Sequence, residues 1–535
     1  MKTMISSIIL ASCLALPLAS CSDSDVAPEQ KDWSTTTYFY SADAAMQDTY
    51  YKPTVGYVGD PMPFFDPVAG DFKVLYLQDF RPNPEGTYHP IWGVSTKDAA
   101  HYTSLGELVS CGTKKSQDAA IGTGSTIYDE ASKLYYTFYT GNKYLPTGDE
   151  SAQAVMVATS PDFKTWTKDR TFLLKGQDFG YDKNDFRDPF VFKGDDGKFH
   201  MLVSTKKSGK GSLAEFVSDD LKNWTDNGVF MTMMWDRFYE CPDLFKMGDY
   251  WYLVYSEIHH AVRRVQYFKG RTLDELKACT ANDAGIWPDA HEGFLDSRGL
   301  YAGKTASDGT NRYLWGWCPT RSGKDNTAVG ASPAEPEWAG NLVCYKLIQH
   351  EDGTLTLGQI DAVSEKYNQD VAVEVKESQN MTEADGTYTL AGSVEQPDAY
   401  MLMGRLGSHN KISFTVTTSN EWDKFGISMV RGSDSKKYYT MVVNPENENN
   451  RKVNFEEQGV EGKGFIAGID GYVFARPADN VYNITIYTDN SICVMYINDV
   501  CSYTNRIYGI QKNCWSINSY NGANVKVSNL KISQY

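Results

Sequence analysis

The sequence has little of what marks a metalloprotein, a nucleic-acid-binding protein or an integral membrane protein. Its ten cysteines include no Cys-x-x-Cys pair and no histidine-linked spacing, so no metal site is predicted, and no motif predicts a cofactor. Its 51 lysines and arginines form no cluster and are outnumbered by 68 acids. The resulting net charge of −17 disfavours nucleic acid and anionic lipid as partners. Beyond the N-terminus there is no apolar run of about 18 residues, so no segment there is predicted to span a membrane.

The first 21 residues resemble a bacterial lipoprotein signal peptide. Lys2 precedes an apolar run from Met4 to Leu18, which is too short for a stop-transfer helix. The segment ends in Leu-Ala-Ser-Cys, so lipidation is predicted at Cys21, with an ordinary secretory signal as the alternative. The acidic stretch Ser22–Asp25 resembles the export signal of surface lipoproteins. We therefore expect residues 22–50 to tether the protein to the outer membrane, at the cell surface or in the periplasm.

Residues 51–359 contain an internal repeat of about 50 to 60 residues, which predicts an all-β, five-bladed β-propeller. Two copies end in a serine, an aspartate-containing pair and then a tryptophan, at Ser160–Trp166 and Ser218–Trp224. We interpret this ending as a tight turn followed by a large apolar anchor between blades. Aromatic residues make up 13% of the chain, which suits both β-structure and stacking on sugar rings.

Three acids, each within two residues of a proline, are predicted to occupy equivalent places near the starts of the expected inner strands. They are Asp60 in Gly-Asp-Pro, Asp188 in Arg-Asp-Pro and Glu240 in Glu-Cys-Pro. Because the first residues of inner strands line the central funnel of a propeller, all three are predicted to share one cavity floor. The proline after Asp188 predicts an extended backbone there, and Arg187 is expected to favour the charged carboxylate of Asp188. Two carboxylates that flank a bond are the groups that glycoside hydrolysis requires.

Five short motifs, in this order and spacing, resemble those of glycoside hydrolase family 32, the invertase, inulinase and levanase family. They are Gly122-Thr123-Gly124-Ser125, Phe186-Arg187-Asp188-Pro189, Glu240-Cys241-Pro242-Asp243, Leu314-Trp315-Gly316-Trp317 and Glu337-Trp338-Ala339-Gly340. The first of them falls where the family has a substrate loop.

The resemblance implies a retaining cleavage of β-fructosidic bonds in fructans or fructo-oligosaccharides. Asp60 would be the nucleophile, Glu240 the acid and then the base, and Asp188 the residue that stabilises the oxocarbenium-like transition state. Glu240 has to carry a proton, which apolar and negatively charged surroundings would favour. The other expected substrate contacts are Gln78, Trp92, Ser125, Arg187, Cys241 and Trp315.

The segment around Asp60 departs from the family pattern. The family has Trp-Met-Asn-Asp-Pro-Asn-Gly there, whereas Tyr57–Pro63 reads Tyr-Val-Gly-Asp-Pro-Met-Pro. Because the flanking asparagines help to hold the terminal sugar, the change predicts a divergent subgroup with altered sugar subsites.

Residues 360–370 are predicted to form a polar linker, and residues 371–535 a C-terminal antiparallel β-sandwich. Apolar and polar residues alternate with period two in three segments, Lys411–Val416, Asn483–Tyr487 and Val525–Ile532. This domain either buttresses the propeller or binds sugar through exposed aromatic residues such as Trp422 and Tyr520.

Two other functions remain open from the sequence. One is a related five-bladed enzyme, similar to glycoside hydrolase family 43, that acts on arabinans and xylans. The other is a non-catalytic, glycan-binding surface lipoprotein, in which Asp60 or Glu240 would point away from the pocket. Gly303-Lys304-Thr305 resembles the end of a phosphate loop, but Arg298 stands where that motif needs glycine, so a phosphate loop is not predicted.

Overall fold

The computed structural model describes residues 49–80, 89–233, 238–257, 264–279, 292–297, 299–321, 336–431, 437–444, 452–456, 472–473 and 476–535. The predicted signal peptide, the predicted lipidation site Cys21 and the tether up to residue 48 lie outside the described residues. Nearly all regular structure in the described ranges is β-strand. None of their helices has the length and apolar character needed to cross a membrane.

Twenty strands form the five blades of the propeller, four to a blade, and each strand pairs antiparallel with the next in its blade. Blade I contains β1 (Tyr57–Asp66), β2 (Asp71–Asp79), β3 (Ile91–Thr96) and β4 (Thr103–Val109). Blade II contains β5 (Ala120–Asp129), β6 (Leu134–Asn142), β7 (Gln153–Ser160) and β8 (Thr167–Leu174). Blade III contains β9 (Phe186–Lys193), β10 (Phe199–Lys207), β11 (Lys210–Ser218) and β12 (Thr225–Thr232).

The last two blades follow the same order. Blade IV contains β13 (Glu240–Met247), β14 (Tyr250–Glu257), β15 (Arg264–Gly270), the short helix α1 (Leu273–Lys277) and β16 (Glu292–Leu295). Blade V contains β17 (Tyr301–Ser307), β18 (Arg312–Arg321), β19 (Pro336–Gln349) and β20 (Leu355–Gly358). Blades V and I share one sheet, because β19 also pairs with β1 at Gly340 and Val58. The ring is therefore closed by backbone hydrogen bonds between its first and last blades.

The repeated Ser-to-Trp ending forms the turn and anchor that the sequence predicts. The carboxylate of Asp162 accepts the backbone N–H groups of Lys164 and Thr165, at 2.9 and 2.8 Å, and Asp220 does the same in the next blade. Trp224 of blade III then packs edge-on against Phe138 of blade II, with ring centroids 5.5 Å apart. The motif thus forms the turn of each of these hairpins. Its tryptophan in blade III, Trp224, packs that blade against blade II.

The C-terminal domain is the predicted antiparallel sandwich, and a short helix, α2 (Asp361–Lys366), precedes it. One sheet has β21 (Gln369–Val371), β23 (Met381–Ala384), β24 (Thr387–Ala391), β26 (His409–Thr418), β31 (Val481–Asp489), β32 (Ile492–Ile497), β33 (Cys501–Arg506) and β35 (Asn524–Gln534). The other has β22 (Val375–Gln379), β25 (Ala399–Arg405), β27 (Lys424–Arg431), β28 (Lys437–Asn444), β29 (Lys452–Glu456), β30 (Tyr472–Val473) and β34 (Cys514–Tyr520). The three alternating segments found in the sequence are β26, β31 and β35, which are adjacent in the first sheet.

Buried polar contacts join the two domains. The guanidinium of Arg506 on β33 donates to the carbonyl oxygens of Pro319 and Cys318 on β18, at 2.7 and 3.0 Å. Asp296 in the propeller accepts the backbone N–H of Thr504 and is fully buried. Because these groups lose water on burial and gain specific partners, they fix the sandwich to blades IV and V in one orientation.

Candidate active site

The five inner strands, β1, β5, β9, β13 and β17, bulge at corresponding positions. Each shifts register against its neighbour once, around Asp60, Thr123, Asp188, Cys241 and Ala302 in chain order. All of these except Thr123 have positive φ, between +23° and +56°. A bulge changes the direction in which side chains point, so that they no longer alternate regularly along the strand. The first four bulges line one cavity on the propeller.

Two sequence-based expectations about these positions are wrong. Asp188 is not extended, since its φ is +56° and its N–H donates to Thr140 Oγ1 at 2.9 Å. The following proline disfavours the right-handed helical region, and the bulge places Asp188 in the left-handed region instead. The three acids are also not equivalent. Asp60 and Asp188 occupy corresponding bulges, whereas Cys241 holds that place in blade IV and Glu240 precedes it.

The cavity has a volume of about 340 Å³ and contains the predicted acids. Of the residues chosen from the sequence, those that line it are Asp60, Asp188, Glu240, Arg187 and Cys241. The structure therefore brings together side chains from blades I, III and IV. The described residues contain no group of three or more His, Cys, Asp or Glu side chains arranged to hold a metal.

Each carboxylate oxygen of Asp60 accepts a hydrogen bond from a neutral side chain. Thr123 Oγ1 donates to Oδ2 at 2.8 Å, and Trp317 Nε1 donates to Oδ1 at 2.9 Å. Hydrogen bonds to an ionised acceptor are stronger than those between neutral groups, so the two donors stabilise the carboxylate and fix its plane. A fixed, ionised carboxylate is suited to attack a carbon atom.

Glu240 is held differently, by a cation and a hydroxyl. Arg187 Nη2 donates to Oε1 at 3.0 Å, and the hydroxyl of Tyr301 donates to Oε2. The guanidinium also bonds Asp185 at 2.7 Å and lies over the ring of Phe238, 3.9 Å from its centroid. With its orientation set by two neighbours and its side chain 18% exposed, Glu240 is positioned to exchange a proton with a group in the cavity.

Asp188 is the most deeply buried of the three acids, and its exposure is 4%. Burial raises its pKa to about 6, Arg187 opposes that shift, and the negative charges of Glu240 and Asp60 add to it. Arg187 favours the charged form of Asp188, as the sequence predicts, but desolvation outweighs the neighbouring cation and the pKa is raised. Above pH 6 Asp188 is mainly a carboxylate, and its Oδ2 accepts the N–H of Cys241 at 2.9 Å.

An aromatic side chain occupies the space next to Gly59, the residue before Asp60. A Cβ atom at Gly59 would lie 2.4 Å from the indole of Trp338, so the ring takes the space of any larger residue there. Trp338 also packs against His89, with ring centroids 4.7 Å apart, and both residues line the cavity. Two aromatic rings therefore border the cavity beside Asp60.

The remaining residues predicted to contact substrate do not line the cavity. Trp315 is fully buried and donates to Tyr102 OH at 3.2 Å, and Ser125 bridges blades II and III through Pro189 O. Gln78 is fully buried and donates to Val55 O at 2.5 Å. Trp92 packs edge-on against Phe80, with centroids 5.8 Å apart.

Sequence reasoning missed the residues that orient the acids, although it quoted their motifs. Thr123 and Trp317 lie two positions from the chosen Ser125 and Trp315. Thr123 and Trp317 are the residues that donate to Asp60. In β5, the bulge after Gly122 hides this from a simple period-two count. Alignment of Gly122-Thr123-Gly124 with the Gly-Asp-Pro and Arg-Asp-Pro steps would have identified Thr123.

Two family models match the chain. The N-terminal domain of glycosyl hydrolases family 32 matches residues 50–360, and the model described as GH32, BT1760-like, C-terminal domain matches residues 353–532. Among solved structures, fructan 1-exohydrolase IIa from Cichorium intybus has a TM-score of 0.69 at 16% identity, covering 92% of this chain and 97% of that one. A sucrose-6-phosphate hydrolase from Lactobacillus gasseri has a TM-score of 0.68 at 17% identity, with 94% of each chain covered.

The match to a curated relative covers a smaller part of the chain than the matches to solved structures do. The insoluble β-fructofuranosidase isoenzyme CWINV2 of Arabidopsis thaliana is 27% identical over 320 residues, which cover 54% of this chain and 51% of that protein. The matched region thus spans about half the length of this relative. The N-terminal family model alone covers more than half of the 535 residues. The chain belongs to glycosyl hydrolase family 32.

Proposed function

We propose that this protein hydrolyses β-fructosidic bonds in fructans or fructo-oligosaccharides with retention of configuration. The proposal rests on one observation: two carboxyl groups in the same cavity have different hydrogen-bond donors. Asp60 accepts hydrogen bonds from two neutral donors, whereas Glu240 is shared by an arginine and a tyrosine. Acid pairs whose surroundings differ in this way take separate roles as nucleophile and proton donor.

In the proposed reaction a fructosyl ring enters the cavity with its anomeric carbon against Asp60. The carboxylate forms a bond to that carbon as the glycosidic C–O bond breaks, and the proton of Glu240 passes to the leaving oxygen. Water then attacks the anomeric carbon, Glu240 takes a proton from it, and the ester to Asp60 breaks. Asp188 accepts hydrogen bonds from ring hydroxyls and stabilises the positive charge of the transition state.

The two alternatives from the sequence lose support. The first alternative is an enzyme similar to glycoside hydrolase family 43, but the chain belongs to family 32. A non-catalytic glycan-binding protein would have Asp60 or Glu240 turned away from the pocket, and both line it. The related proteins are described as β-fructofuranosidases, sucrose-6-phosphate hydrolases and an invertase, and one solved relative holds 1-kestose. These descriptions support a fructose-containing substrate.

The test is incubation of the purified protein with inulin, levan, sucrose and arabinan, followed by chromatography of the products. We expect fructose or fructo-oligosaccharides from at least one of the first three and nothing from arabinan. Asp60→Asn should abolish release, and Glu240→Gln should lower it by at least about a hundredfold. Asp219→Asn and Glu130→Gln are matched controls, because both acids are exposed on the propeller and neither lines the cavity. Release that is unchanged in both active-site variants would refute the assignment.

We also propose that Cys21 carries lipid and holds the protein at the outer membrane, facing outward or into the periplasm. The support is the Leu-Ala-Ser-Cys sequence and the acidic residues after it. Metabolic labelling with a fatty acid should mark the wild-type protein and not Cys21→Ser. Equal labelling, or none in either protein, would contradict the proposal.

A further inference from the structure

We propose that Lys304 is a positioning residue for this reaction, a buried ammonium on the propeller axis that keeps Asp60 and Asp188 charged and holds the strand that carries Thr123. The inference rests on the proposed fructosidase function, because its readout is the pH dependence of that activity. Lys304 belongs to the motif that resembled a phosphate loop in the sequence, and the structure assigns it a different part.

The surroundings of Lys304 join all five inner strands. Its side chain leaves β17 two residues after the bulge at Ala302, and its exposure is 2%. Nζ donates to the carbonyl oxygen of Gly124 on β5 at 2.8 Å and lies 5.3 Å from the ring centroid of Phe190 on β9. The N–H of Gly124 in turn donates to Met62 Sδ on β1 at 3.1 Å.

The fifth inner strand, β13, is contacted by Thr305, the residue after Lys304. The N–H and the hydroxyl of Thr305 both donate to Asp243 Oδ2 on β13, at 2.7 and 2.6 Å. Lys304 therefore lies where the inner strands of all blades meet, beneath the bulges that form the cavity floor. A neutral, apolar side chain would fill that space without any desolvation penalty, so the presence of an ammonium group needs an electrostatic reason.

The charges around this site supply that reason. Burial lowers the pKa of Lys304, while Cys241, Asp243, Asp188 and Asp60 oppose the shift. Cys241 contributes little, because burial raises the pKa of its thiol and keeps it neutral. The acids are therefore what hold the proton on Lys304, and the attraction acts equally in the other direction.

The charged groups that face this region come from four strands. They are Asp60 on β1, Arg187 and Asp188 on β9, Glu240 and Asp243 on β13, and Arg312 on β18, whereas β5 contributes only neutral groups at 123–125.

The two arginines form their hydrogen bonds with other partners, although the charge of Arg187 also favours the carboxylate form of Asp188. Arg187 donates to Glu240, Asp185 and Gln153, and Arg312 donates to Thr305 Oγ1 beside Asp243. Lys304 Nζ instead bonds a neutral carbonyl, so its charge is not compensated by a direct ion pair. In a region of low dielectric, that charge stabilises the carboxylate forms of Asp60 and Asp188 from below the floor.

The consequence is a specific pH signature. When a positive charge near a carboxyl group is lost, the pKa of that carboxyl group rises. In Lys304→Met, the acid limb of the kcat/KM profile should therefore move to higher pH, by about one unit. Lys304→Arg keeps the charge and should leave the limb near its wild-type position. Lys304→Gln removes the charge with a smaller loss of packing, and it serves if the methionine variant does not fold.

Lys269→Met is the matched control. Lys269 is also largely buried, at 9% exposure, and its Nζ donates to a backbone carbonyl at 2.9 Å. That carbonyl belongs to Asp352, between β19 and β20, and not to an inner strand that borders the acids. It should lose stability without moving the acid limb. If folded Lys304→Met and Lys304→Gln keep the wild-type limb and only lower kcat, Lys304 is merely structural and the proposal is overturned. Wild-type protein that cleaves no fructan would refute the proposed function instead, so the two failures are distinguishable.

Discussion

The propeller and the β-sandwich are built from similar antiparallel strands, but they bury different chemistry. The propeller buries Asp188, Asp243 and Lys304 at its axis, where the inner strands bulge. The main cluster of the sandwich is made of side chains such as Met401, Ile412 and Trp515. A ring of blades leaves a central space in which charged groups from distant segments meet, whereas two packed sheets leave none.

Two fully buried charged side chains of the sandwich, Asp489 and Arg506, form hydrogen bonds with residues outside the sandwich. Asp489 accepts the backbone N–H groups of Thr49 and Tyr50, both at 3.0 Å, and Arg506 reaches β18. In the described residues, these contacts attach the sandwich to the propeller. Trp422, offered from the sequence as a sugar contact, is 43% exposed, and Tyr520 is largely buried.

The sharpest test of this division is a change in the cavity that affects activity alone. Glu240→Gln should lower kcat by about 10²- to 10⁴-fold, because general acid–base catalysis contributes that much. The amide keeps the shape of the side chain, so the melting temperature should stay close to that of the wild type. Steady-state kinetics measures kcat, and differential scanning calorimetry measures the melting temperature. A large loss of stability would contradict the expectation that a change in the cavity affects activity alone.

The converse change lies in the sandwich core. Trp515→Ala should destabilise the protein by about 3–5 kcal/mol, since it removes a large side chain that is 1% exposed. Denaturant unfolding followed by circular dichroism measures this loss. At a temperature where the variant is folded, its kcat/KM should match the wild type. A reduced kcat/KM in folded protein would show that the sandwich does more than support.

The interface should give an intermediate result. Arg506→Met leaves the carbonyls of Cys318 and Pro319 without their donor, next to Trp317, which orients Asp60. We expect kcat to fall about tenfold, equivalent to about 1.4 kcal/mol of barrier, together with a loss of stability. An unchanged kcat would mean that the sandwich does not help to position Trp317.

At the active site we expect a change of the opposite sign, a gain in stability. The pKa of Asp188 is raised to about 6, so between its ordinary value and 6 the folded protein binds more protons than the unfolded chain. Stability contributed by this group is therefore present at low pH and lost as the pH rises through 6. Asp188→Asn should be more stable than wild type at neutral pH, by on the order of 1–3 kcal/mol, while losing activity. The gain should shrink near pH 4, about the ordinary pKa of an aspartate, and a gain independent of pH would contradict this account.

The fold was largely predictable because its signals are local. The Ser-to-Trp ending marks a turn and an anchor wherever it occurs, and period-two alternation marks β26, β31 and β35. The second sheet of the sandwich lacked such a signal. Its strands, such as β27 and β34, were not found from alternation.

The site was predictable only in part, for a different reason. Asp60, Asp188 and Glu240 carry a proline beside or near them, so sequence marks them. Thr123 and Lys304 have no proline near them. Their positions at the axis depend on bulges that break the strand period, and only the assembled ring shows which side chains meet there.

Trapping of the reaction intermediate tests the central claim most directly. Glu240→Gln should be mixed with an aryl β-fructofuranoside, whose leaving group departs without an acid, and then digested and analysed by mass spectrometry. Because the variant lacks the base that activates water, a fructosyl ester should accumulate on the peptide containing Asp60. Absence of an adduct on that peptide while the aryl group is released, or an adduct on a different carboxylate, would contradict the assignment of Asp60 and Glu240.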